Sequence, residues 1–194
     1  MNGMTRWILT LAIIFLLFPG VRGSSAGQMS IDGTAFATQI EAGGEVLHIK
    51  GVALLRYLIF IKAYTGAFYL PQGVDGSRAL DEIPRYLVLD YRVAISAQDF
   101  ADATYQKIKE SVSSEEFQRM EPQINAINRL YLDVDPGDRY ALTYIPGRGT
   151  QLSLNGTPLG TVEGPEFSRA LFSIWIGDNP IDEYFRDRLL GKIR

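Results

Sequence analysis

The run from Ala53 to Leu70 limits the possible folds more than any other part of this chain. It is apolar, rich in aromatic and β-branched residues, and broken only by Arg56, Lys62 and Gly66. A membrane helix needs about 20 consecutive apolar residues with few or no charges, and two cations inside this run make it too polar for a span. Aromatic and β-branched enrichment is the mark of a strand. The run predicts one long or two shorter buried strands.

The elements around it fall in a definite order. Phe36 to Ile40 and Val46 to Ile49 alternate about Ala42-Gly43-Gly44, which predicts a hairpin. Tyr86 to Tyr91 is a further strand. Ser96-Ala97-Gln98-Asp99 has the form of a capping box, in which the serine and the aspartate satisfy the first free N–H groups of a helix. Phe100, Ala103, Ile108 and Val112 follow at helical spacing. A second helix carries Phe117, Met120, Ile124, Ile127 and Leu130, and Pro122 inside it predicts a kink or a break. Strands return after the turn Asp135-Pro136-Gly137-Asp138, over Tyr140–Ile145, Thr150–Leu154 and Pro158–Val162, joined by Gly147-Arg148-Gly149 and Asn155-Gly156. Two short helices close the chain, with Pro165 and Pro180 at first-turn positions and Gly191 as the stop. Strands, two helices, strands, two helices predict an α+β fold: a large antiparallel β-sheet with helices packed on one face.

Residues 1–26 read as an address. Arg6 precedes the apolar run Trp7–Phe18, Pro19-Gly20 breaks it, and Val21/Gly23 or Ser24/Ala26 fit a signal-peptidase site. At about 12 residues the run is short for a span. A cleaved secretory signal peptide over 1–26 is expected, with an uncleaved anchor as the competing reading, then a single domain over 27–194. The expected location is the periplasm or the cell exterior, with no stable membrane span after cleavage. The oligomeric state is not written in the sequence.

Charge and composition exclude several classes. Removing the two leader arginines leaves 17 basic against 22 acidic residues, a net charge of −5, which disfavours nucleic acid as a partner. Cysteine is absent, so there are no disulfides and no thiolate chemistry. His48 is the only imidazole and no Gly-x-Ser-x-Gly elbow exists, which leaves little room for a catalytic triad or a histidine metal site. Asp133, Asp135 and Asp138 surround Pro136-Gly137 and read as a turn before they read as a calcium site. Gly147-Arg148-Gly149-Thr150 lacks the spacing and the lysine of a phosphate loop. No metal is expected.

Arg56 is the residue of interest. It lies within Val52–Phe60, and an unpaired guanidinium in such company is costly to bury. It is either paired with a carboxylate or left in water at a strand edge, or it holds an anion at the end of an apolar cleft, where its planar fork can grip a carboxylate or phenolate with two hydrogen bonds.

At this stretch the chain resembles the chalcone isomerase-like proteins. The resemblance is carried by Gly51–Arg56 and Phe60–Leu70, by Pro136-Gly137-Asp138 with Leu142–Gly147 and Leu154-Asn155-Gly156, and by Phe167 with Ala170–Pro180 and Leu189-Leu190-Gly191. It covers nearly the whole mature chain in order, and looks closest to the secreted bacterial branch of the superfamily. The resemblance implies an open-faced β-sandwich with a cleft between sheet and helices. The superfamily includes chalcone isomerases, plant fatty-acid-binding proteins and non-catalytic members, and the resemblance implies that no cofactor is expected in either the enzymatic or the binding branch. In the enzymes an arginine holds the substrate phenolate, while a threonine, a tyrosine, an asparagine and a second hydroxyl residue organise a water and the ketone.

Carried over by resemblance, Arg56 matches the arginine, and Tyr64 falls where the enzymes have threonine and the fatty-acid binders tyrosine. Phe100 replaces the tyrosine, Lys107 the asparagine and Ile174 the last hydroxyl residue. Four of the five polar groups differ, and losing one oriented donor can cost ~100-fold in rate. The expected function is therefore binding, without catalysis, of a fatty acid or similar small apolar acid, with Arg56 and Tyr64 at the ligand head. The alternatives are an isomerase or intramolecular lyase acting on an enone or phenolic ligand, and a non-catalytic structural or interaction protein. Arg56 and Tyr64 are eight residues apart, about 26 Å along one unbroken strand. They can meet only if the chain doubles back near Leu58 to Phe60. Trp175 and the run Phe172–Ile176 are expected in the core and not in a pocket wall.

Overall fold

Period-two alternation of apolar residues on both faces builds the sheet. The computed structural model describes residues 27–57 and 60–193, so the leader assigned to residues 1–26 lies outside the described residues. A large sheet of seven strands runs β3(Gln39–Ala42), β4(Glu45–Tyr57), β5(Ile61–Pro71), β6(Arg85–Tyr91), β7(Arg139–Ile145), β8(Gly149–Leu154) and β9(Thr157–Val162). Its spatial order is its chain order, and every neighbouring pair is antiparallel. Such a meander needs only short connections, which is why glycine turns at Gly43-Gly44, Gly147 and Asn155-Gly156 suffice. The apolar run resolves into two strands, β4 and β5, folded back on each other.

Four helices cover one face: α1(Ala97–Ser111), α2(Ser114–Asn128), α3(Pro165–Ile176) and α4(Glu183–Leu189). The capping box of α1 forms as the sequence predicts, with Asp99 N–H donating to Ser96 Oγ at 3.1 Å. Ser113 and Glu116 cap α2 in the same way. That helix runs through Pro122 without a break, contrary to one of the expected outcomes, because its stripe Phe117, Met120, Ile124 and Ile127 is buried and holds it to the core. Pro165 begins α3 as expected, but Pro180 falls in the connection before α4, whose cap is Asp182.

The opposite face is not bare. A two-stranded hairpin, β1(Gln28–Ile31) with β2(Thr34–Ala37), lies against it. Asp32 and Gly33 take positive φ at its turn, the geometry that Asp-Gly favours in a two-residue hairpin loop. Phe36 from this hairpin packs with Leu47, Val52, Ala67, Tyr69, Val88 and Ala141 in a second, smaller apolar cluster. The larger cluster lies between sheet and helices, and takes Leu87, Leu89 and Tyr91 from β6 while Val88 goes to the smaller one. Among the described residues no helix is long and apolar enough to cross a membrane.

Candidate functional site

The helix-covered face of the sheet encloses an apolar cavity of about 240 Å³. One buried water needs only ~10–15 Å³, so this space could hold on the order of ten, yet few polar atoms line it. Its floor is sheet: Tyr64 from β5, Leu87, Leu89 and Tyr91 from β6, Tyr140 and Leu142 from β7, and Leu152 from β8. Its walls are Phe100, Thr104 and Lys107 of α1, Ile174 and Trp175 of α3, and Tyr131 from the link that follows α2. Asp99, Ala103 and Ile181 also line it and are exposed, which marks their side as the mouth.

Helical spacing explains the α1 wall. Phe100, Thr104 and Lys107 are one turn apart and lie on the face turned to the sheet. Phe100 stacks on Tyr131 with ring centroids 5.4 Å apart and meets Tyr140 edge-on at 5.2 Å. Asp133 accepts from the first backbone N–H of α1 at 2.8 Å, which fixes the helix against the link carrying Tyr131.

The polar liners are four phenols, Tyr64, Tyr91, Tyr131 and Tyr140, with Thr104, Asp99, Lys107 and the Trp175 indole. The Tyr131 hydroxyl is 3.0 Å from Thr104 Oγ1. Tyr140 donates to the Leu132 carbonyl at 2.8 Å and accepts from the Leu132 N–H at 2.7 Å. Tyr64 accepts from the Trp175 indole N–H at 3.0 Å. Burial pushes the Tyr131 phenol up to about 12. It raises Tyr64 further, because the Trp175 hydrogen bond offsets only part of the burial, and it raises Tyr91 well above the ordinary value. All of these groups are neutral donors at physiological pH. The charged liners, Asp99 and Lys107, are already engaged. Asp99 is held in the capping box, and Lys107 Nζ is 3.2 Å from the Glu110 carboxylate.

Four of the five positions carried over by resemblance, Tyr64, Phe100, Lys107 and Ile174, line this one cavity. Arg56, the fifth, does not line it. The chain does double back between Tyr57 and Ile61, but Tyr64 pairs with Leu55, while Arg56 pairs with Lys62 across a bulge. Adjacent residues of a strand point to opposite faces. Leu55 and Tyr64 join the helix-side core, whereas Lys62 reaches Asp32 of the hairpin at 2.6 Å. Arg56 is exposed on that other side, in a shallow surface depression with Asp32, Leu54, Asp182 and Arg188, and it makes no ion pair among the described residues. Arg56 and Tyr64 thus line different depressions, with Asp182 beside the first and close enough to act on the second.

Trp175, expected in the core and not in a pocket wall, stands at the edge of the core and forms part of the wall. It is half-buried and lines the cavity, with its indole N–H on Tyr64. Tyr91, Tyr131 and Tyr140 were not singled out from the sequence. The signal for Tyr91 was there, since Leu87, Leu89 and Tyr91 share one face of a strand whose alternation is plain.

The match to known proteins follows the same outline. The family model described as chalcone isomerase-like matches residues 28–191. This chain belongs to the chalcone isomerase-like family. The crystal structure of an Arabidopsis thaliana fatty-acid binding protein superposes with a TM-score of 0.69 at 14% identity, covering 86% of this chain and 97% of the other. At that identity the likeness shows the fold. No curated protein matches the chain. In this chalcone isomerase-like domain the sheet–helix cleft is thus a formed cavity with a phenolic lining.

Proposed function

We propose that this chalcone isomerase-like protein binds a fatty acid or similar small apolar acid, without catalysis, and that the ligand lies in the cavity between the sheet and α1. The observation that carries the reading is the cavity itself: a space of about 240 Å³ lined by Leu87, Leu89, Ile95, Leu142, Leu152 and Ile174, left open inside an otherwise packed core. An apolar tail in it gains about 0.8 kcal/mol for each methylene removed from water. A relative in fold is titled a fatty-acid binding protein. The absence of a hydroxyl at Phe100 and the distance of Arg56 from the cavity weigh against the isomerase reading, which needs a held phenolate and oriented donors. With residues 1–26 removed as an export signal, the protein would bind its ligand outside the cytoplasm.

Native mass spectrometry of the chain from residue 27 onward, incubated with medium-chain fatty acids, tests this reading. One added mass per chain is expected, and Ala103→Trp, which fills the mouth from an exposed position, should abolish it. A folded wild-type protein that stays empty across the series would sink the reading.

A further inference from the structure

The hydroxyls in the cavity differ in how fully they are used. Those of Tyr131 and Tyr140 have their partners within the protein. Tyr64 accepts from Trp175, but its own proton has no acceptor among the described residues. Tyr91 is 3% exposed, lines the cavity, and its hydroxyl has no partner of either kind among the described residues. Tyr64 and Tyr91 are adjacent, paired across β5 and β6, with ring centroids 5.4 Å apart and edge-to-face. The Tyr91 hydroxyl is not sealed in the packed core, so it is free to bond whatever occupies the cavity beside it. Here the unused donors sit side by side on the floor of an apolar space.

We propose that Tyr91 and Tyr64 form the head-group site of this cavity, and that they take an uncharged oxygen acceptor, a carbonyl or a protonated carboxyl group, at the inner end of an apolar ligand. The proposal rests on the cavity being a ligand site and deepens that reading. The ligand lies head inward, with its tail running past Ile174 toward Ala103 and Ile181 at the mouth. The head is uncharged because no counter-ion reaches the floor. The charged groups lining the cavity are Asp99 and Lys107, both on α1, the element that also carries the exposed Ala103 of the mouth; β5, β6, β7, β8 and α3 contribute none, and Asp182, the cap of α4, is close enough to act on Tyr64 with a negative charge that further disfavours an anionic head. A carboxylate brought there would lose its hydration and gain only two neutral hydrogen bonds. Burial keeps both phenols protonated, so each has a proton to donate.

The test uses three ligands of equal carbon number, a methyl ketone, a fatty acid and an alkane. Binding to wild type and to Tyr91→Phe is measured by displacement of an environment-sensitive fluorophore. In wild type the ketone should bind about tenfold tighter than the alkane, the gain expected of two neutral hydrogen bonds. Its affinity should be equal at about pH 5 and about pH 8, while the acid weakens about tenfold for each pH unit above its solution pKa. Tyr91→Phe should remove about fivefold of the ketone's advantage, leave the alkane unchanged and leave the melting temperature no lower, since the hydroxyl it deletes bonds to nothing in the free protein. An acid that binds as tightly at about pH 8 as at about pH 5 would overturn the uncharged head, and an unaltered ketone-to-alkane ratio in Tyr91→Phe would overturn the site. If the folded wild type bound none of the three, the cavity would not be a ligand site, and the proposed function would fall with the inference.

Discussion

Two arginines of this protein have opposite fates, and their sequence surroundings suggest the reverse of what each does. Arg56 lies in the middle of an apolar run, yet it is exposed on the hairpin side of β4. Arg85 follows Ile83-Pro84 at the start of β6, an unremarkable place, and is 1% exposed. Its guanidinium donates to the carbonyls of Ala79 at 3.1 Å and Asp81 at 2.7 Å, and to Ser168 Oγ at 2.7 Å. It also lies 4.4 Å from the Tyr144 ring centroid and 4.9 Å from that of Phe172. Carbonyl dipoles, a hydroxyl and π-faces replace most of its hydration, Nε stays buried without a partner among the described residues, and no carboxylate is in contact. Burial pushes its pKa down to about 10. What separates the two is strand position and parity, not the hydropathy of the neighbours.

The largest expected effect is alkaline, and it sets the buried cation against the buried phenols. Burial places Tyr64, Tyr69, Tyr86, Tyr91, Tyr131, Tyr140 and Tyr144 above the ordinary value of 10.0. The unfolded chain loses those protons first, so the stability they contribute is complete below pH 10 and is lost as the pH rises further. Arg85 acts in the opposite sense. Its folded value, about 10, lies below that of a free guanidinium, so above about pH 10 the unfolded chain binds the extra proton and rising pH favours folding. Seven groups against one decide the sign. Tyrosinate absorbance and circular dichroism should change together, in one cooperative transition above pH 10. Gradual titration of these phenols with the fold intact would contradict the burial described here.

Next in size is Arg85→Ala. It opens a cavity and strands two carbonyls and a hydroxyl, so a loss of about 3–5 kcal/mol is expected, roughly 10 °C or more in Tm for a chain of this size. Arg85→Met should cost less, because it fills the volume and carries no charge to desolvate. If Arg85→Ala melted like the wild type, the guanidinium would not be holding this end of the core. Gly51→Ala extends the comparison along the strand of Arg56. A methyl group there would run into the Arg188 carbonyl of α4, and Gly51 is buried. A loss of about 1–3 kcal/mol by chemical denaturation is expected, which would show that the inner face of β4 is tightly packed at Gly51 while the side chain of Arg56, further along, stands in solvent.

The parts of the molecule legible in the sequence are those set by local periodicity. The strands β6 to β9, the capped start of α1 and the Gly43-Gly44 hairpin all follow from alternation and turn chemistry within a few residues. Asp32-Gly33 is as strong a local signal, and the hairpin it closes covers the second face. The site was half legible. Tyr64, Phe100, Lys107 and Ile174 were placed through resemblance and do share one cavity. The role of Arg56 was not legible, because it turns on one extra residue. Ala63 has no partner between Leu55↔Tyr64 and Arg56↔Lys62, and a bulge of that kind has no reliable sequence mark. Nor does sequence show that Tyr91 lacks a hydrogen-bond partner, since that depends on what four other elements fail to bring near it.

The smallest expected effect is the most direct test of the comparison. Arg56→Ala removes an exposed side chain that makes no ion pair among the described residues; its nearest contribution is a weak attraction to Asp32, whose carboxyl is held below its usual value chiefly by the hydrogen bond from Lys62. Stability should change by no more than about 0.5 kcal/mol. Binding of an apolar ligand should be unchanged within about twofold, because the residue lies across the sheet from Tyr64 and Tyr91. Measured beside Arg85→Ala by thermal melting, and beside Tyr91→Phe by ligand displacement, this variant is the control that moves neither readout. A tenfold loss of ligand affinity in Arg56→Ala, with Tm intact, would place the head group on the hairpin side after all and remove the floor of the cavity from consideration.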